Sequence, residues 1–163
     1  MENTEYRYCE DITRYKRLSA KTVYVGSIPL GGDYPVRIQS MTNTDTNDTG
    51  ATVKQIKKIA DSGADFVRMT TRTIKEAENL QSIKHQLQSD GYNLPLVADV
   101  HFNPKIAETA AKLVEKVRIN PGNYSMKNAQ KGDFQEIKEN FTHLIDICKK
   151  HQTTIRIGVN HGS

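Results

Sequence analysis

The sequence predicts an α/β fold, namely a partial TIM (β/α)8 barrel of about five strands preceded by an N-terminal hairpin. Strand-like and helix-like segments alternate along the chain, which is typical of βα units and a parallel sheet. No low-complexity linker interrupts the alternation, so we expect one domain. The strands carry polar residues on one face, whereas central strands of an open sheet covered on both sides would be almost wholly apolar. We therefore assign residues 1–21 to a polar leader and residues 22–163 to the N-terminal part of a barrel domain.

Composition narrows the class of protein. The chain has 163 residues, of which 36% are hydrophobic, and it has no tryptophan. No apolar run resembles a secretory signal or a membrane span, which favours a cytoplasmic protein without a membrane partner. The net charge of +4 is spread along the chain and aromatic residues make up 7%, which disfavours a nucleic-acid surface. Cys9 and Cys148 are far apart and lack CxxC spacing, so they cannot by themselves hold a metal.

The first elements follow from turn residues and helical spacing. The segment TVYVGSIPLGGDYPVRIQSM contains two extended runs, which Pro29 and Gly31-Gly32 would join as a hairpin. A helix follows, because apolar residues recur at helical spacing from Val53 to Ala60. Gly63 then ends this helix before the strand DFVRMTT.

Capping residues mark the later helices. Thr73 and Glu76 have the spacing of a capping box and open the second helix. After the strand LPLVADVHF, Asn103-Pro104 provides a cap and first-turn residue for the third helix. The strand KVRIN follows, and the segment DFQE again has capping-box form before a fourth helix. The last strand lies in TIRIGVNHGS.

Polar residues recur on one face of the predicted strands. Residues two apart in a strand share a face, and the alternate positions in each strand are largely apolar. The apolar face would pack on helices, and the polar face would point toward the axis of a barrel. The polar sets are Arg68, Thr70 and Arg72; Asp99 and His101; Arg118 and Asn120; and Arg156 and Asn160.

Three arginines that converge in a barrel interior require anions. An unpaired buried charge costs several kcal/mol, and Asp99 is the chief carboxylate on the same faces. A bound diphosphate would match the paired donors of guanidinium groups. A purely structural role in arginine-carboxylate layers remains an alternative. Asp99 and His101 suit either an acid-base pair or a plain hydrogen bond, and Gly158 suggests no more than a backbone role.

Four motifs together resemble a known family. They are GDYPVRIQSMTNTDTNDTGATVKQIKKIADSGADFVRM, LPLVADVHFNPKIA, VRINPGN and IRIGVNHGS, in this order. They are similar to the amino-terminal barrel of the 4-hydroxy-3-methylbut-2-enyl diphosphate synthase family, the iron-sulfur oxidoreductases of the methylerythritol phosphate route to isoprenoids. The resemblance runs from about Val23 to the last residue. The segment between Asn123 and Thr154 looks longer than in compact members and is similar to a large form with an extra domain.

The resemblance implies a reaction and roles for particular residues. The reaction is the reductive ring opening of 2-C-methyl-D-erythritol 2,4-cyclodiphosphate to hydroxymethylbutenyl diphosphate, with electrons from ferredoxin or flavodoxin. Asp99 and His101 match the family's polar pair at the barrel mouth and are the candidate catalytic side chains. Substrate binding is carried over to Arg68, Arg118, Asn120, Arg156 and Asn160.

The resemblance also implies parts that this chain lacks. The family's 4Fe-4S cluster is held by three cysteines and a glutamate of a carboxyl-terminal domain, so we expect its ligands outside this chain and no metal within it. We expect no turnover by the chain alone. Five strands cannot close an eight-stranded barrel, and the exposed edges of the first and fifth strands favour a homo-oligomer. A pterin-binding barrel of the dihydropteroate synthase kind, or a phosphate-binding module without activity, remains an alternative.

Overall fold

The computed structural model describes residues 13, 19–101, 103–123, 134–159 and 161. Within them, a two-stranded antiparallel hairpin precedes a five-stranded parallel sheet, and strands alternate with helices after the hairpin. This arrangement confirms the predicted α/β fold and its partial-barrel character. The strands are β1 (Val23–Val25), β2 (Ile28–Leu30), β3 (Gln39–Met41), β4 (Phe66–Thr71), β5 (Leu96–Val100), β6 (Lys116–Ile119) and β7 (Thr154–Ile157). The helices are α1 (Thr49–Asp61), α2 (Ile74–Ser89), α3 (Pro104–Ala110) and α4 (Phe134–His151).

The hairpin turns at a different place from the one predicted. Val25 pairs with Ile28, so the turn consists of Gly26 and Ser27. Gly26 adopts a φ of +59°, which a glycine at the first position of a two-residue hairpin loop accommodates without strain. The prediction that Pro29 and Gly31-Gly32 form the turn is therefore wrong, because Pro29 lies within β2 and the two glycines follow it. The second predicted run instead supplies β3, the first strand of the parallel sheet.

One face of the parallel sheet packs against the helices. The strand order is β3-β4-β5-β6-β7, and each strand is parallel to its neighbour. The alternate residues that were predicted to be apolar are buried between sheet and helices, as in Met69, Ala98 and Val117. Leu80 and Ile83 of α2 belong to the same core. The apolar residues that alternate along the strands therefore pack against the apolar stripes of the helices in one hydrophobic layer.

The opposite, inner face of the sheet is apolar at its amino-terminal end. Phe66 and Val97 form a small cluster there with Val25 of β1, and Ile28 of β2 packs against it. The hairpin thus covers the lower end of the inner face. The hydroxyl of Thr154 in β7 also donates to the carbonyl oxygen of Tyr24, which ties β7 to the hairpin. The polar residues of the inner face lie above this apolar layer.

Helix ends follow the predicted caps where the structure describes them. Thr73 and Glu76 form both halves of a capping box at α2, and Asn103 caps α3 with Pro104 in its first turn. The DFQE cap begins at residue 133, which lies outside the described residues, as do most of the leader and Cys9. Among the helices described, none combines the length and the hydropathy that a bilayer crossing requires.

Candidate anion-binding site

Four neighbouring strands bring charged side chains together on the inner face. Arg68 lies on β4, Asp99 on β5, Arg118 on β6 and Arg156 on β7. Asp99 is the register partner of Arg118, and Arg118 is the register partner of Arg156. Strand pairing therefore places these side chains side by side, as their period-2 positions predicted.

A single carboxylate is shared by two of the arginines. Arg68 donates from Nη2 to Asp99 Oδ2, and Arg118 Nη1 lies 3.4 Å from Asp99 Oδ1. The Asp99 side chain is only 4% exposed, while those of Arg68 and Arg118 are 22% and 13% exposed. Because one negative charge faces two positive charges at low exposure, the cluster keeps a net positive charge.

Two further cations increase this positive charge. Arg156 is exposed at the edge strand and makes no ion pair within the described part of the chain. Lys116 lies two residues before Arg118 on β6, is 6% exposed, and places its Nζ 5.5 Å from the centroid of the Phe66 ring. Burial lowers the pKa of Lys116, and the positive charges of Arg156 and Arg68 lower it further. Lys116 is a site residue that was not predicted from the sequence, although it shares the strand face of Arg118 by the same two-residue period.

Two buried donors of this face, on Arg68 and Asn120, lack an acceptor among the described residues. Arg68 Nε and Asn120 Nδ2 are buried and make no hydrogen bond there. Asn120 is 2% exposed, and its Oδ1 accepts a hydrogen bond of 3.1 Å from the Gly122 N–H. The Asn120 amide group is therefore oriented by the loop after β6, and its NH2 group remains available. Buried donors without acceptors are rare in proteins and need an explanation.

A cavity adjoins the cluster. It has a volume of about 340 Å³ and lies toward the lower end of the inner face. Lys116 and Arg156 line it together with Phe66 and the hairpin residues Val23 and Leu30. The cavity therefore has an apolar and cationic lining at the amino-terminal end of the strands, away from the carboxyl end where the active sites of barrels lie.

The loop after β3 is fixed at the carboxyl end of the sheet. Thr46 Oγ1 donates to the Thr70 carbonyl oxygen at 2.7 Å, and Asn79 Nδ2 donates to the Thr46 carbonyl oxygen at 2.7 Å. Thr49 Oγ1 donates in turn to Asn79 Oδ1 at 3.0 Å. These bonds join the loop to β4 and α2. A fixed loop at this end matters because the active sites of barrels lie there.

The remaining predicted site residues have different positions. His101 follows β5 and is half-buried. Asn160 lies outside the described residues. Arg72, which the sequence pattern grouped with the inner polar face, follows β4, is 66% exposed and pairs with Glu76. The Arg72 N–H also donates to the Glu76 carboxylate, so Arg72 belongs to the cap of α2.

The described donors do not fit an iron-sulfur cluster. Cys148 is buried in the core, and burial raises its pKa to about 11. Cluster ligation requires thiolates, which this environment disfavours. Within the described residues, no group of three or more His, Cys, Asp or Glu side chains could hold a metal ion.

Comparison with known proteins finds one matching family and several similar curated proteins. The family model of the GcpE TIM-barrel domain matches residues 20–163. The chain is 52% identical, over 94% of its length, to the 4-hydroxy-3-methylbut-2-en-1-yl diphosphate synthase (flavodoxin) of Bacteroides thetaiotaomicron, of which it covers 27%. It is 44% identical, over 96% of its length, to the chloroplastic 4-hydroxy-3-methylbut-2-en-1-yl diphosphate synthase (ferredoxin) of Oryza sativa subsp. japonica, of which it covers 23%. The chain thus spans about a quarter of the length of these relatives.

A solved structure shares the fold. The 7,8-dihydropteroate synthase of Vibrio fischeri matches with a TM-score of 0.51 over 88% of this chain and 68% of that chain. Its sequence identity is 14%, so this likeness concerns the fold alone. The pterin-binding alternative therefore rests on fold, whereas the similarity to the 4-hydroxy-3-methylbut-2-en-1-yl diphosphate synthases rests on sequence identity throughout the chain.

Proposed function

The chain belongs to the family of the GcpE TIM-barrel domain, and from this membership we propose that its inner sheet face binds the diphosphate of 2-C-methyl-D-erythritol 2,4-cyclodiphosphate. In this proposal Arg68, Arg118 and Arg156 bind phosphate oxygens. Asn120 donates from its amide NH2 group to the substrate, and Asn160 is a further substrate contact.

The observation that carries the proposal is the mismatch between donors and acceptors on this face. One carboxylate, that of Asp99, faces the guanidinium groups of Arg68 and Arg118. Arg68 Nε and Asn120 Nδ2 are buried donors without acceptors among the described residues. A diphosphate supplies several anionic acceptor oxygens and would satisfy both the charge and the donors.

Asp99 has a positioning role in this proposal. Its carboxylate holds two guanidinium groups and is almost wholly buried between them. Both of its oxygens already face a guanidinium group. We therefore assign Asp99 to the orientation of Arg68 and Arg118 rather than to acid catalysis, and we keep His101 as the candidate for proton transfer at the barrel mouth.

We propose further that the whole protein performs the reductive ring opening to 4-hydroxy-3-methylbut-2-enyl diphosphate. The names of the relatives from Bacteroides thetaiotaomicron and Oryza sativa support flavodoxin or ferredoxin as the electron donor. A 4Fe-4S cluster, when bound by residues outside this chain, would supply the electrons. The residues of this chain bind and orient the diphosphate.

Calorimetric titration of the chain with inorganic pyrophosphate and with the cyclodiphosphate tests the binding proposal. We expect both ligands to bind, and Arg118→Met to weaken binding at least about tenfold, because a charge-assisted hydrogen bond is lost. Lys54→Met is the matched control, since it removes one exposed positive charge from α1. Equal loss in both variants, or no binding at millimolar ligand, would contradict the proposal. Product formation by this chain with a reductant would contradict the assignment of electron transfer to residues outside it.

A further inference from the structure

Gly158 lies directly against the guanidinium group of Arg118. A Cβ atom at position 158 would lie 2.3 Å from Arg118 Nε, 2.9 Å from Nη2 and 3.0 Å from Cζ. Real Cβ atoms essentially never come closer than 3.0 Å to a heavy atom of a residue that is not adjacent in the chain. The guanidinium group therefore occupies the space that any larger side chain at position 158 would need.

The backbone of Gly158 does not itself require glycine. Gly63 and Gly91 have positive φ angles of +89° and +85°, whereas Gly158 is not among the glycines with positive φ. Its N–H donates to the Ile119 carbonyl oxygen at 2.8 Å, which continues the pairing between β6 and β7. The close approach of Arg118, and not a turn, explains a glycine at this position.

Arg118 is held at two points in this space. Its Nη2 donates to the Gly158 carbonyl oxygen at 3.0 Å, and its Nη1 lies 3.4 Å from Asp99 Oδ1. A planar guanidinium group with two fixed partners has a fixed orientation. With the side chain only 13% exposed, little freedom remains for other rotamers.

We infer that Gly158 is a positioning residue that sets the location and orientation of the Arg118 guanidinium group for anion binding. The inference deepens the proposed function and rests on it for the identity of the anion. An added methyl group would displace the flexible end of Arg118 rather than the backbone, so the fold survives while the arginine moves. Displacement breaks the bond to the Gly158 carbonyl oxygen and leaves Asp99 paired with Arg68 alone.

A double-mutant cycle with Gly158→Ala and Arg118→Met tests the inference. We expect Gly158→Ala to raise the Kd for pyrophosphate by about tenfold, because a preoriented charged donor is lost. In the Arg118→Met background the same substitution should leave the Kd unchanged, since there is no guanidinium group to displace. Gly50→Ala is the control, because a Cβ there would meet its nearest neighbouring atom, Asp48 Oδ1, at an ordinary van der Waals distance of 3.7 Å.

A second measurement separates positioning from a merely structural role and does not need the ligand. The Nε–H resonance of Arg118, assigned by its loss in Arg118→Met, should shift in Gly158→Ala, and the Nε–H resonance of Arg37 should stay in place. An unchanged Arg118 resonance would overturn the inference, as would an equal rise in Kd in both backgrounds. If pyrophosphate does not bind any variant but the resonance shifts, the positioning role stands and the proposed function fails.

Discussion

Arg68 and Arg118 donate to the two oxygens of one buried carboxylate, that of Asp99, from the strands on either side of it. The sequence pattern predicted that these three residues share a face, and strand register brings them into contact. The single negative charge of Asp99 neutralises only one of the two positive charges of Arg68 and Arg118. The cluster therefore keeps a net positive charge, which the proposed diphosphate would neutralise.

Asp99→Asn should destabilise the chain. The substitution keeps the size of the side chain but leaves two guanidinium groups without a counter-charge. We expect the free energy of unfolding to fall by about 3 kcal/mol, the lower end of the range for breaking a buried pair, because both arginines retain some exposure. Urea unfolding at pH 7 measures the change.

The control for this prediction is Asp146→Asn, which removes an exposed carboxylate of α4. It should change the free energy of unfolding by less than about 0.5 kcal/mol. Pyrophosphate should restore part of the stability that Asp99→Asn loses, since it supplies the missing negative charge. Equal destabilisation by the two substitutions would show that the shared carboxylate has no special role.

Lys116→Met should stabilise the chain at neutral pH, and the gain should shrink as the pH rises. The folded-state pKa of Lys116 lies below its ordinary value of 10.5, so the charged form is disfavoured in the folded protein. The resulting loss of stability is present at pH values below the folded pKa and disappears as the pH rises through it toward 10.5. Methionine keeps the apolar contact with Phe66 without the charge.

Urea unfolding of the wild type and of Lys116→Met at pH 7 and pH 10 tests the predicted direction of this pH dependence. The difference between the two proteins should be larger at pH 7. Lys54→Met, which removes an exposed lysine of α1, is the control for the loss of one positive charge. A constant difference for Lys116→Met would mean that the ammonium group is not penalised by its position.

Much of the fold follows from local chemistry. The alternation of Met69, Ala98 and Val117 with polar residues set which face of each strand meets the helices. Thr73 with Glu76 and Asn103 with Pro104 mark helix starts that depend only on neighbouring residues. The hairpin turn was misplaced because Gly26 and Gly31-Gly32 are all glycines, and pairing of β1 with β2 decides between them.

The sequence predicted which strand face carries the candidate site, but it did not predict which residues the site side chains contact. Period-2 alternation grouped Arg68 with Arg72, but the latter lies beyond the end of β4, where the nearby Glu76 pairs with it. Lys116 shares the face of Arg118, yet its burial depends on the hairpin below it and on Phe66. The role of Gly158 depends on its short distance to the Arg118 guanidinium group on the neighbouring strand, and no local sequence pattern predicts that distance.

The thiol of Cys148 should be nearly inert in the folded chain. Burial leaves the residue 4% exposed and raises its pKa to about 11, so only about one thiol in a thousand is ionised at pH 8. In a Cys9→Ser variant, iodoacetamide should modify Cys148 only as fast as the chain unfolds, and at the rate of a free cysteine in concentrated urea. Equal rates with and without urea would show that the thiol is accessible. Slow modification would agree with the structure, because a protonated thiol packed in the hydrophobic core cannot act as a cluster ligand without unfolding α4.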